Sequence, residues 1–197
     1  MKRAHAEEVA LAAARLVVEE GMEYGPAKRR AAHALGLPAR SASLPDNHLV
    51  EDAVREHLAL FCADSQPAEL AALRRIAAEW MQRLAAFRPH LTGAVWRGTA
   101  TRLNSVHLQL FCDDSKEAEL GLINLGVPYE VGSAPGPRGE PIDVLSVASS
   151  SRELGERVTV HLSVLDHDDL RGALKPDGRG RSQRGDLAGL HKLMASP

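Results

Sequence analysis

Up to residue 89 the apolar positions recur at helical intervals, and beyond it they begin to alternate. Val9, Ala13, Leu16 and Val17 fall on one face of a helix predicted from Lys2 to about Glu20, rich in alanine and stopped by Gly21. A shorter helix is expected over 26–35, with Pro26 in its first turn and Gly36 as its stop. The prolines and serines of 37–45 read as a loop. From Asp46 a third helix aligns Val50, Val54, Leu58 and Phe61. A fourth, long helix aligns Leu70, Leu73, Ala77, Trp80, Leu84 and Phe87, and must end before Pro89, because the residue preceding a proline is pushed out of helical geometry.

After His90, Val106, Leu108 and Leu110 alternate with His107, Gln109 and Phe111, the pattern of a half-buried strand. A helix over 115–125 is closed by Gly126 and Pro128, and further strands are expected over 142–147 and 158–165. The glycines and prolines of 132–141 read as a loop, and the basic, glycine-rich tail 171–184 reads as mobile before a last short helix over 186–194. The run 60–70 nearly repeats 110–120, but the flanking residues differ, so the echo is assigned to shared helix capping by aspartate and serine. The order of elements predicts an α+β protein: a helical N-terminal region (1–89) packed on a small mixed β-sheet (90–170), then a basic tail with a short C-terminal helix (171–197). Trp80, Phe87 and Trp96 hint at a packed junction between the first two parts.

A length of 197 residues and 44% hydrophobic content suffice for a real core, which excludes disorder as the main state. The net charge of −2 supplies no global attraction to nucleic acid or anionic membrane, so any such binding must be local. Cys62 and Cys112 are too few for a disulfide framework and lack zinc-ligand spacing, so both are expected reduced. Glu7, Glu8 and Arg15 interrupt the N-terminal stretch, which reads as an amphipathic helix and not as a secretion signal. With no apolar run long enough to cross a bilayer, a cytoplasmic protein without a membrane partner is expected.

The chemistry concentrates in residues 93–111, where Gly93, Ala94, Arg97, Gly98, Thr99 and Ala100 precede Ser105, His107 and Leu108. This stretch resembles, without a gap, the signature of the DNA polymerase beta-like nucleotidyltransferase superfamily. There a Gly-Ser pair opens a short helix that holds nucleotide phosphates, a Gly-Thr-Ala follows, and an Asp-x-Asp on the next strand holds magnesium. The resemblance therefore implies nucleotidyltransferase topology for the sheet and a phosphate-binding segment of Gly93, Ala94, Arg97, Gly98 and Thr99. Amides at a helix start and paired carboxylates on one strand face would supply that chemistry. Here, however, Ala94 replaces the serine, and Ser105 and His107 stand where the aspartates belong. Asp143 is the candidate for a third acidic residue on a later strand, and a lone carboxylate makes a poor magnesium site. Most of the chain is also similar to small proteobacterial proteins of nucleotidyltransferase type, notably through Ala27, Lys28, Arg29, Arg30, Ala31 and Ala32, then Leu35 and Gly36.

The expected function is accordingly that of a catalytically degenerate nucleotidyltransferase-like protein, a pseudoenzyme that binds a nucleotide, an RNA end or a protein partner through the old cleft. An active transferase with non-standard metal ligands is the first alternative; no cofactor is expected otherwise, with Mg2+ required only if activity survives. His107, Asp143 and His161 form the weaker candidate for a metal site. The second alternative rests on 12–36, which resembles the first helices of tetracycline-repressor-type regulators and would place Lys28, Arg29 and Arg30 near DNA phosphates. The long loop before the third helix argues against DNA as the partner. Asp166, His167, Asp168 and Asp169 lack the glycine and terminal glutamate of a calcium loop and read as a solvated turn.

Overall fold

The computed structural model describes residues 2–39 and 44–195, so part of the expected loop 37–45 lies outside the described residues. By internal contacts the chain divides into two compact units: the chain up to Ala68 together with Thr99–Leu103, and Glu69–Gly98 with the chain from Asn104 onward. The architecture is α+β, with a mixed six-stranded sheet and the long helices preceding it in sequence.

The first unit is built from α1 (Lys2–Glu20), α2 (Tyr24–Ala34) and α3 (Asn47–Phe61). Val9, Ala13, Val17, Ala27, Ala31, Val50, Val54 and Leu58 form its core. Small alanines on α1 and α2 leave room for the valines of α3, and α1 lies against both other helices. Asp46 caps α3 by accepting the Leu49 amide at 2.7 Å. Phe61 does not continue the buried stripe expected of it: it is 72% exposed, because α3 ends there and the chain turns at Cys62. Within this unit Gly21, at φ +67, is so close to Leu103 that a methyl group would meet the Leu103 carbonyl at 3.0 Å, and Gln66 donates to the Ala100 carbonyl at 2.9 Å.

The second unit opens with α4 (Gln66–Arg83, from Glu69 on), whose Leu73, Ile76, Ala77, Trp80 and Met81 are buried. A 3-10 turn, Ala85–Phe87, and left-handed Arg88 absorb the constraint of Pro89. There follow β1 (His90–Thr92), α5 (Gly93–Arg97), β2 (Val106–Phe111), α6 (Ser115–Asn124), β3 (Glu130–Pro135), β4 (Pro141–Ser151), β5 (Glu156–Leu165), α7 (Asp169–Ala173), β6 (Arg184–Gly185) and α8 (Leu187–Ala195). The strand order is β3-β4-β5-β2-β1-β6, with β2 and β5 parallel and the other neighbours antiparallel. Val106, Leu108 and Leu110 of β2, Val158, Val160, Leu162 and Val164 of β5, and Leu145 and Val147 of β4 are buried on one face. Helix α6 lies against β5 and buries Ala118 and Leu122. Cys62 and Cys112 are free, and burial, aided by Glu117, Asp113 and Asp114, pushes the Cys112 thiol up to about 11.

Two segments differ from expectation. The stretch 132–141 is not simply a loop: residues 130–135 pair with β4 along its first half, leaving a turn at 136–140. Glycine and proline are tolerated there because β3 is an edge strand. The tail, expected to be mobile, is folded. Asp177 accepts the amides of Arg179 and Arg181, each at 2.9 Å, and the Gln183 side-chain amide at 2.6 Å. β6 then pairs with β1, and α8 buries Leu190. Trp96 locks this arrangement by donating its indole N–H to the Ser182 carbonyl at 2.8 Å, with the benzo edge of its ring close against Gly185. The partners of Trp96 and of Phe87, which touches Gly121, lie in the second unit, where Trp80 is also buried.

Candidate functional site

The face of the sheet opposite the buried aliphatic rows is polar, and strand register aligns its residues. Paired residues point to the same side of a sheet. His107 pairs with His161, His161 with Ser146, and Ser146 with Glu130; in the other direction His107 pairs with Thr92, and Thr92 with Arg184. One row across all six strands therefore reads Glu130, Ser146, His161, His107, Thr92, Arg184. The next row holds Ser163 and Gln109.

The two imidazoles stand with ring centroids 5.0 Å apart, tilted by 32°. Ser146 Oγ is 2.8 Å from His161 Nδ1 and fixes that ring. Thr92 donates to the Gln183 carbonyl at 3.1 Å, tying the row to the folded tail. Arg184 extends to Gln109 and hydrogen-bonds its side-chain oxygen, so its guanidinium lies one row along from His107. Burial lowers the pKa of that guanidinium from its ordinary value, yet it remains a cation at neutral pH. A cavity of about 660 Å3 opens beside the row, lined by Gln109, Ser163, Arg184, Arg138 and residues of α7. Arg138 and Asp169 pair across it at 2.8 Å.

The start of α5 reaches this face. Gly93 opens α5 at φ +75, a conformation open to glycine, and a methyl group there would touch the His107 ring at 3.7 Å. Gly98, at φ +80, ends α5 after five residues. Arg97 lies in its last turn, and Arg74 donates to the Val95 carbonyl at 3.3 Å. Ala94 is half-buried, whereas Thr99 is only 2% exposed, with its hydroxyl enclosed and without a hydrogen-bond partner among the described residues. Ser105 precedes β2 and His107 lies within it, both half-buried.

Asp143 does not join them. It pairs with Ser133 and sits three residues from Ser146 along β4, an odd spacing that turns it to the helix-covered face, where its charge acts on Lys116 of α6. The strand beside β2 is β5, and the residue level with His107 is His161. Among the described residues no group of three or more histidine, cysteine or acidic side chains is placed to hold a metal ion. Magnesium prefers carboxylate and water oxygens, so two imidazoles with hydroxyls do not fit it. The Asp166 to Asp169 segment is a turn in which Asp166 accepts the Asp168 amide at 2.8 Å, and His167 contacts Arg88.

In the first unit Lys28 donates to the Pro45 carbonyl and to Asn47 at 3.1 and 2.8 Å, and Arg30 pairs with Glu20. Two of the three cations on which the DNA-binding alternative rests thus pair within this unit. Arg184 was not apparent from sequence; His107 and His161 were expected together only as metal ligands with Asp143, and their level register is what the structure adds. A signal for that register existed: His107-Leu108-Gln109-Leu110 and His161-Leu162-Ser163-Val164 share one alternation. No helix among the described residues is long and apolar enough to cross a membrane.

No protein-family model and no curated protein matches the chain.

Proposed function

We propose that this chain is a nucleotidyltransferase-like protein without metal-carboxylate chemistry, and that it binds a nucleotide or an RNA end on the polar face of its sheet. The observation that carries the reading is the passage β1–α5–β2. A glycine-opened single turn follows one strand, and the next strand returns antiparallel with His107 against that glycine. The helix after β2 and the parallel pairing of β2 with β5 support the same topology. Loss of both aspartates, and the turning of Asp143 to the other face, remove the magnesium ligands on which nucleotidyl transfer depends. What is left suits an anionic, aromatic ligand: imidazoles and hydroxyls to receive hydrogen bonds, a guanidinium for phosphate, and an adjoining cavity of about 660 Å3.

Thermal melting in EDTA tests this reading. Adenosine or cytidine 5′-monophosphate should raise the melting temperature, since a ligand at a hundred times its Kd adds about 2.7 kcal/mol to the native state. Arg184→Gln should abolish most of the rise. Unchanged melting with mononucleotides and with short single-stranded RNA would leave a protein partner as the reading of this face.

A further inference from the structure

Binding alone does not account for the two histidines side by side. Two imidazoles that reach one phosphoryl group can act as a base and an acid in the same turnover, with no metal. The paired rings at 5.0 Å are close enough to address oxygens of a single phosphate, and Ser146 orients one of them. Arg184, held at Gln109, supplies the fixed positive charge that a pentacovalent phosphorane needs. A base and an acid side by side favour a nucleophile already carried by the substrate, because an intramolecular attack has a large effective concentration. In nucleic acids only RNA carries one, its 2′-hydroxyl.

We infer that the His107–His161 row is a metal-independent active site that cleaves RNA phosphodiesters by attack of the adjacent 2′-hydroxyl. One imidazole accepts the 2′-hydroxyl proton as the 2′-oxygen bonds to phosphorus. The bond from phosphorus to the 5′-oxygen breaks, and the other imidazolium gives that oxygen its proton. The products are a 2′,3′-cyclic phosphate and a 5′-hydroxyl; nothing is oxidised or reduced, and the base ring ends with one proton more and the acid ring with one fewer, which exchange with water resets before the next turnover. Among the described residues, the titratable and charged groups around the paired rings on this face are Arg184 of β6, Glu130 of β3 and His90 of β1, with Arg138, Asp168 and Asp169 lining the adjoining cavity. The inference shares with the proposed function the assignment of this face to phosphate esters.

The test is incubation of the full chain in EDTA with a fluorescent single-stranded RNA, beside the same sequence as DNA. The RNA should be cut to fragments ending in cyclic phosphate, and the DNA should stay intact. His107→Gln and His161→Gln should each lower the rate by on the order of a hundredfold or more. The pH profile of the wild type should be bell-shaped, a reading that does not depend on either variant folding. RNA that binds and stabilises the protein but is not cut overturns this inference and leaves the binding function standing. Neither binding nor cutting overturns both. Cleavage that needs magnesium, that leaves a 3′-hydroxyl, or that survives in both folded variants also overturns it.

Discussion

Gly185 sits so close to Trp96 that a Cβ there would lie 2.0 Å from the indole ring. The ring cannot retreat without giving up its hydrogen bond to Ser182. Gly185→Ala is therefore expected to cost about 1–3 kcal/mol, as overpacking does, read as a lower midpoint in urea. Asp177 gives a pH prediction of definite sign. The Arg181 backbone amide, followed by that of Arg179 and the Gln183 side chain, holds its carboxyl below the ordinary range. A depressed carboxylate contributes stability above its unfolded value, about 3.9, and that contribution is lost as pH falls through the folded value. Limited proteolysis within 174–184 should accordingly rise below about pH 4 in the wild type, and Asp177→Asn should show that susceptibility already at neutral pH. Sequence carried little of this. An aspartate among glycines and arginines looks like a solvated linker until the three donors that surround it are seen.

At the scale of elements, strong periodicity was legible and edges were not. α1, β2 and β5 appear close to where alternation and helical spacing put them, because each buries a continuous apolar set. Leu108 lies fully buried at the middle of β2, and Leu108→Ala should cost about 2–5 kcal/mol in chemical denaturation. β3 and β6 escaped notice for a physical reason: edge strands bury little, and their backbone pairing asks nothing of their side chains. Phe61 misled in the opposite sense, since an apolar residue at the last turn of a helix continues the period after the neighbouring element has ended. The polar face followed the same division. The alternation of β2 put His107 on its polar side, whereas Arg184 reaches Gln109 from 75 residues away in sequence. Asp143, expected as an acidic residue on a later strand, lies on β4, which β5 separates from β2, and on the opposite face from His107. Removing the chain after residue 180 takes away β6 and α8 and uncovers Trp96; a red-shifted tryptophan emission and a lower melting temperature are expected.

For the molecule as a whole, one sheet face matters more than overall charge or fold class. The proposed function places a nucleotide phosphate on the His107–His161 row beside Arg184. The histidines report on this directly, since His5, His33, His48 and His57 belong to the first unit and serve as internal controls. Nuclear magnetic resonance of the imidazole ring protons, recorded while cytidine 5′-monophosphate is added in EDTA at low salt, is the most direct measurement. Two ring signals, assigned to His107 and His161 by their glutamine variants, should shift together and saturate at one dissociation constant, while the four control signals stay still. Saturable shifts confined to first-unit histidines, or no movement of His107 and His161 at millimolar nucleotide, would contradict the proposed function.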